Sequence, residues 1–157
     1  MPRRASAHDV VALVPVSEAI HPELQRLVDL EAIRQLPQRY ARAVDERDHD
    51  ALTALFDPDG RVDGTFGQQA VTDYLETMRS RPDTGGTSMH VLADPLIELA
   101  VGRDAARVDT YAVVHQVPAP GSDGEHRMLG MRYVDDVVRR DGSWVIHLRV
   151  ARMQWMR

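Results

Sequence analysis

Between Glu23 and Phe56, apolar side chains return every three or four positions, at Leu24, Leu27, Leu30, Ile33, Leu36, Tyr40 and Val44. That spacing marks one face of an α-helix. Pro37 falls inside it, and because proline lacks an N–H and its ring crowds the preceding turn, the pattern predicts a kink or a restart there. A second, shorter helix is expected after Asp48, a good N-cap residue, with Ala51, Leu52, Leu55 and Phe56 on its buried side. The run Asp57-Pro58-Asp59-Gly60 then predicts a turn.

Beyond the turn the period changes. Arg61–Phe66 reads as a short strand, and Gln68–Met78 as a helix with Val71, Tyr74, Leu75 and Met78 on one side. Arg81–Ser88, rich in Pro, Gly, Ser and Thr, reads as a loop. Three β segments follow, near His90–Val101, Ala105–Val117 and His126–Arg140, and Asp141-Gly142 predicts a hairpin into a fourth, Ser143–Trp155. Helices first and an antiparallel meander afterwards predict an α+β fold, a curved antiparallel sheet with the N-terminal helices packed on one face. Such a sheet leaves a cone with its mouth near the helix ends, where a small ligand would sit. Trp144, Trp155, Phe56 and Leu55 are expected in the core, while Val62, Phe66, Leu75 and Met78 offer an apolar cavity wall.

Composition narrows the class. A chain of 157 residues with 43% hydrophobic and 27% charged residues has the balance of one soluble domain. We expect that domain over residues 21–157, behind a loose arm at 1–20. The apolar run Val10–Val16 is interrupted by Pro15 and followed by Ser17 and Glu18; it is too short to span a bilayer, so no membrane contact and a cytoplasmic location are expected. A formal charge of -5 gives no electrostatic footprint for nucleic acid. The absence of cysteine excludes disulfides, thiolate metal sites and cysteine nucleophiles. His8, His21, His49, His126 and His147 show no ligand spacing, and no metal is expected.

Several short stretches together resemble a known family. They are Arg39-Tyr40-Ala41-Arg42-Ala43-Val44-Asp45-Glu46-Arg47-Asp48 running on to Leu55-Phe56, Met89-His90 before Ile97-Glu98-Leu99, Asp104-Ala105-Ala106 into Thr110-Tyr111, Arg132-Tyr133-Val134-Asp135, Arg140-Asp141-Gly142-Ser143-Trp144, and the late Arg149 and Trp155. From about Leu27 to Trp155 their order and spacing resemble the SnoaL-like proteins of the nuclear transport factor 2-like superfamily. The branch this chain looks most like includes scytalone dehydratase, lindane dehydrochlorinase and the bile-acid 7α-dehydratase, which are lyases without cofactors. The resemblance implies a catalytic aspartate at Asp45, a histidine base at His90, and Tyr40 and His115 as candidate acids. It also implies a small hydrophobic substrate of polyketide or steroid kind, and a homodimer or homotrimer.

The chemistry of such a pair is general. A neutral imidazole accepts a proton, and a carboxylate on its other ring nitrogen fixes the tautomer and stabilises the imidazolium. Read without the resemblance, Asp45 heads the charged run Asp45-Glu46-Arg47-Asp48, which is ordinarily a solvated face, and His90 simply opens a strand. Tyr40 and Asp45 stand about 140° apart on an ideal helix, so both can face one cavity only if Asp45 lies at the helix end or the cavity wraps around it.

Strand parity leaves other residues open. His115 shares a face with Asp109, Tyr111 and Val113, and either face could line the cone. Arg132 is a substrate anchor if it points inward and a surface ion pair if it points outward. Tyr111, Tyr133 and Phe66 are further candidates for substrate contact. An isomerase or cyclase could use the same base, and a non-catalytic ligand-binding or structural subunit could use the same fold with a filled cone.

Overall fold

The computed structural model describes residues 22–64, 67–100, 102 and 104–157. Helix α1 runs Pro22–Asp45 as one element, so Pro37 neither ends nor restarts it, and the proline ring is itself buried. The predicted face is inside for Ile33, Leu36 and Tyr40; burying each such side chain is worth about 1.5–3 kcal/mol. Leu24 and Leu27, at the start of the same pattern, are exposed.

The end of α1 is built with care. The Asp48 N–H reaches the Ala43 carbonyl (2.9 Å) and the Arg47 N–H the Val44 carbonyl (3.2 Å), with Arg47 left-handed at φ 56°. This is the Schellman pattern that closes a helix. It leaves Asp45 as the last helical residue. Helix α2 (His49–Ala54) starts at once, with the Asp48 carboxylate accepting from the Ala51 N–H as predicted (2.9 Å). Such a cap is worth about 1 kcal/mol.

Strand β1 spans Phe56–Gly64 and absorbs the expected Asp57–Gly60 turn as an irregularity in its register. Strand β2 (Gly67–Ala70) and helix α3 (Val71–Arg79) follow where one longer helix was expected. The expected strand after the loop is broken into β3 (Thr87–Leu92) and β4 (Leu96–Leu99), with Pro95 between them. Strands β5 (Ala105–Val117), β6 (Arg127–Arg140) and β7 (Ser143–Met156) lie close to their predicted bounds.

The strands form one curved, unclosed sheet in the order β2-β1-β7-β6-β5-β3, with β4 also paired to β5. The meander is antiparallel as expected, but β1 runs parallel to β7, which makes the sheet mixed. The helices cover its concave face, and α1 packs against the edge strand β3. The core lies between them: Ile33, Leu36, Leu52, Phe56, Val108, Val137 and Ile146. No helix among the described residues is long and apolar enough to cross a membrane.

Candidate functional site

Alternation along the sheet decides which side chains can meet. His90 lies opposite Val114 in the β3–β5 register, and the even-numbered residues of β5 from Ala106 to Val114 point inward. On this concave side an open cavity of about 930 Å³ is lined by Tyr40, Asp45, Tyr74, His90, Tyr133 and Arg149, with apolar wall from Val62, Met78, Val114 and Leu129. Phe66, expected to belong to that wall, lies outside the described residues.

Asp45 and His90 meet there. Asp45 Oδ1 is 2.7 Å from His90 Nδ1 and accepts from the Ser88 hydroxyl at 2.7 Å, while Oδ2 accepts from the backbone N–H of His90 at 2.8 Å. The pair is largely enclosed, with side chains 20% and 6% exposed. Burial works against charge on Asp45, but these hydrogen bonds outweigh it and hold its carboxyl below the usual carboxylate range. An ionised carboxylate only accepts, so Nδ1 of His90 carries a proton, and it is Nε2 that a neutral imidazole would present as the base. The demand set by helix geometry is met by the helix ending at Asp45.

Tyr40 reaches the same cavity from one turn deeper. Its hydroxyl is 2.9 Å from that of Tyr74, and its ring meets the rings of His90 and Tyr133 edge-on at 6.2 and 5.9 Å. Burial pushes the Tyr133 and Tyr74 phenols well above their ordinary range, so both remain protonated donors. Beneath them Arg149 is buried, its guanidinium 3.8 Å from the Tyr40 ring centroid and 5.0 Å from that of Tyr133. It is paired with buried Asp135 at 2.6 and 2.8 Å, and its Nη1 has no hydrogen-bond partner among the described residues.

Parity removes three expected residues from this cavity. His115, Tyr111 and Arg132 point to the opposite, outer face of the sheet. His115 stacks on His126, with ring nitrogens 3.0 Å apart; its place as an acid beside His90 is therefore corrected. Arg132 forks onto Asp109 at 2.5–3.2 Å and lies over Tyr111, the outward alternative foreseen for it. Tyr111 is half exposed in an outer groove with Val91, Val113 and Trp155. Trp155, expected in the core, is 45% exposed there.

Four contributors to the site carried no functional expectation. Ser88 shares the inward parity of His90 two residues on, and Tyr74 sits on the buried side predicted for α3. Asp135 and Arg149 lie opposite each other across the β6–β7 hairpin, and opposite charges at facing inward positions are a readable signal. Among the described residues there is no group of three or more His, Asp or Glu able to hold a metal.

The profile of the SnoaL-like domain family matches residues 25–150. The chain belongs to the SnoaL-like family. A scytalone dehydratase-like protein from Novosphingobium aromaticivorans superposes with a TM-score of 0.74 at 22% identity, over 84% of this chain and 88% of that one. A type 3 hexachlorocyclohexane dehydrochlorinase from Novosphingobium barchaimii gives 0.72 at 18% identity, over 86% and 92%. A Mycobacterium tuberculosis protein of unknown function gives 0.69 at 21%, over 87% and 78%. At such identities the likeness establishes the nuclear transport factor 2-like α+β cone fold.

Proposed function

We propose that this SnoaL-like protein is a cofactor-independent lyase of the dehydratase kind. The observation that carries the reading is the Asp45–His90 contact of 2.7 Å inside an open cavity with an apolar wall. His90 Nε2 takes a proton from a carbon beside an activating carbonyl or aromatic ring, and Asp45 stabilises the imidazolium that forms. The C–H electron pair becomes the new double bond, the bond to the leaving oxygen breaks, and the Tyr40 hydroxyl protonates that oxygen, giving water. Tyr74 keeps the Tyr40 hydroxyl in place. Arg149, aimed under the same rings, favours electron density building on the activating group. Base assistance of this type contributes ~10²–10⁴ in rate.

Dehydratase and dehydrochlorinase neighbours with the same fold support this class over an isomerase or cyclase. The open cone favours it over a scaffold. The substrate is small and hydrophobic, of polyketide or steroid kind. For subunit association, the exposed apolar face around Val91, Tyr111 and Trp155 is the surface we assign to a homodimer or homotrimer, readable by sedimentation.

The test is turnover of hydroxy-ketones and related polycyclic compounds by the protein beside His90→Ala and Asp45→Asn. Loss of turnover in both is expected. Equal turnover in all three would remove the mechanism and leave the fold as described.

A further inference from the structure

We propose that the outer face of the sheet carries a site for a soft monovalent metal ion, Cu(I), formed by His115 and His126 with Met89 and Met128 beside them. It shares no residue with the lining of the cavity, so it stands apart from the chemistry proposed there.

The two imidazoles come together from the two ends of the connection between β5 and β6. His115 Nδ1 lies 3.0 Å from His126 Nε2, and the rings stack with centroids 5.2 Å apart and planes 24° apart. Two ring nitrogens that close cannot both present lone pairs, and they cannot both present N–H groups. Either a proton or a metal ion has to lie between them. Metal–nitrogen bonds of about 2.0 Å place two ligand nitrogens roughly 3.3–3.5 Å apart in tetrahedral or trigonal geometry. His126 is exposed, so a small swing of its ring reaches that spacing. The proton that the ion replaces moves to the far nitrogen of the same ring. Among the described residues neither ring has a carboxylate partner, which leaves the remaining positions around the ion to sulfur.

Strand register supplies that sulfur. Met89 of β3 and Met128 of β6 are the direct partners of His115 on its two sides. Directly opposed residues share a face, with Cβ atoms about 4.5–5.5 Å apart. Met89, His115 and Met128 thus form one row on the outer face, with Met89 53% exposed. A methionine side chain is unbranched and flexible, so either thioether can swing over the imidazoles. Thioether and imidazole together select Cu(I) over harder divalent ions. Arg157 stands opposite Met128, bonded to it through both backbone groups at 2.7 and 2.9 Å. A cation there opposes a divalent ion more than a monovalent one. The row lies two positions beyond Val91 and Val113, on the side of the β5–β6 connection, so the apolar face around Tyr111 and Trp155 stays outside the site.

The test titrates Cu(I) into the full chain under anaerobic conditions, against the colorimetric chelator bicinchoninate. One ion per chain is expected, held at least about tenfold more tightly than Zn(II). His115→Ala and His126→Ala should each weaken Cu(I) at least about tenfold, as should Met89→Leu combined with Met128→Leu, which keeps side-chain volume. Circular dichroism is expected to show all three variants folded. Copper K-edge absorption of the unaltered protein reads the ligands without any substitution. Nitrogen and sulfur are both expected there, and in a chain without cysteine the sulfur is methionine. A nitrogen-only shell, no uptake of Cu(I), or Zn(II) held as tightly as Cu(I) overturns the proposal. So does Cu(I) affinity indifferent to the histidine changes or to the methionine pair. Copper lost in His90→Ala places the ion in the cavity and likewise overturns it.

Discussion

Asp45 grips both ends of His90, taking the imidazole Nδ1 with one carboxylate oxygen at 2.7 Å and the backbone N–H of the same residue with the other at 2.8 Å. Ser88 adds a third donor. Asparagine offers one accepting oxygen and an N–H₂ that opposes one of these donors. Asp45→Asn is therefore expected to lower kcat by ~10²–10⁴. Nitrogen NMR of His90 checks the cause independently of any substrate: the Nδ1–H tautomer of the parent protein should no longer dominate in the variant.

The pair Arg149–Asp135 is buried on both sides, so removing one partner strands the other. Arg149→Met should cost about 3–5 kcal/mol in urea unfolding, because Asp135 remains as an uncompensated charge. Arg149→Met with Asp135→Leu should recover most of that loss. Turnover should stay low in the double variant, since the cation beneath Tyr40 is gone.

Asp57 governs part of the acid limit of the fold. Burial alone raises its carboxyl, but hydrogen bonds from His147 at 2.9 Å, from Arg140 at 2.9 and 3.1 Å and from the Asp59 N–H hold it below its ordinary value. A depressed carboxylate stabilises the native state fully above the unfolded pKa of about 3.9, and loses that contribution as pH falls through the lower folded value. Asp57→Asn should lower stability at pH 7 by about 1.5–3 kcal/mol. Its melting temperature should also fall less steeply between pH 4 and 2, measured by circular dichroism.

Two glycines predict contrasting responses to alanine. A Cβ at Gly60 would stand 2.5 Å from the His147 carbonyl and 2.9 Å from that of Asp57, both backbone. One at Gly130 would meet the Trp155 ring at 2.2 Å, and that ring is half exposed and can swing away. Gly60→Ala should thus be the more destabilising change in thermal melts. Gly130→Ala should instead redden the Trp155 emission, read with Trp144 replaced by Phe.

The sequence carried the elements well where period was sustained. Seven apolar positions gave α1, and the three long strands β5, β6 and β7 fell within a residue or two of their alternating runs. Asp45 and His90 were named through family spacing, since a charged run and a strand-opening histidine had ordinary local explanations. What failed was facing. His115 turned outward because β5 presents its even-numbered residues to the core, a choice that neither mixed face of the strand announces. Trp155 went astray through a bulge: Met153 pairs with Met131 and Trp155 with Gly130, so Gln154 is an extra residue that flips the ring to the outside. A period of two cannot foresee a bulge. The parallel β1–β7 pairing was equally hidden, because it joins segments far apart in the chain.

Among the described strands β3 has a neighbour on one side only, and it supplies both Ser88 and His90, while α1 supplies Asp45 from across the interface. An outermost strand frays before the middle of a sheet does. The Asp45–His90 pair therefore sits on the seam that opens first. In rising denaturant, the turnover proposed for this pair should switch off while the β5–β6–β7 body is still folded, so that catalysis is lost before the protein unravels.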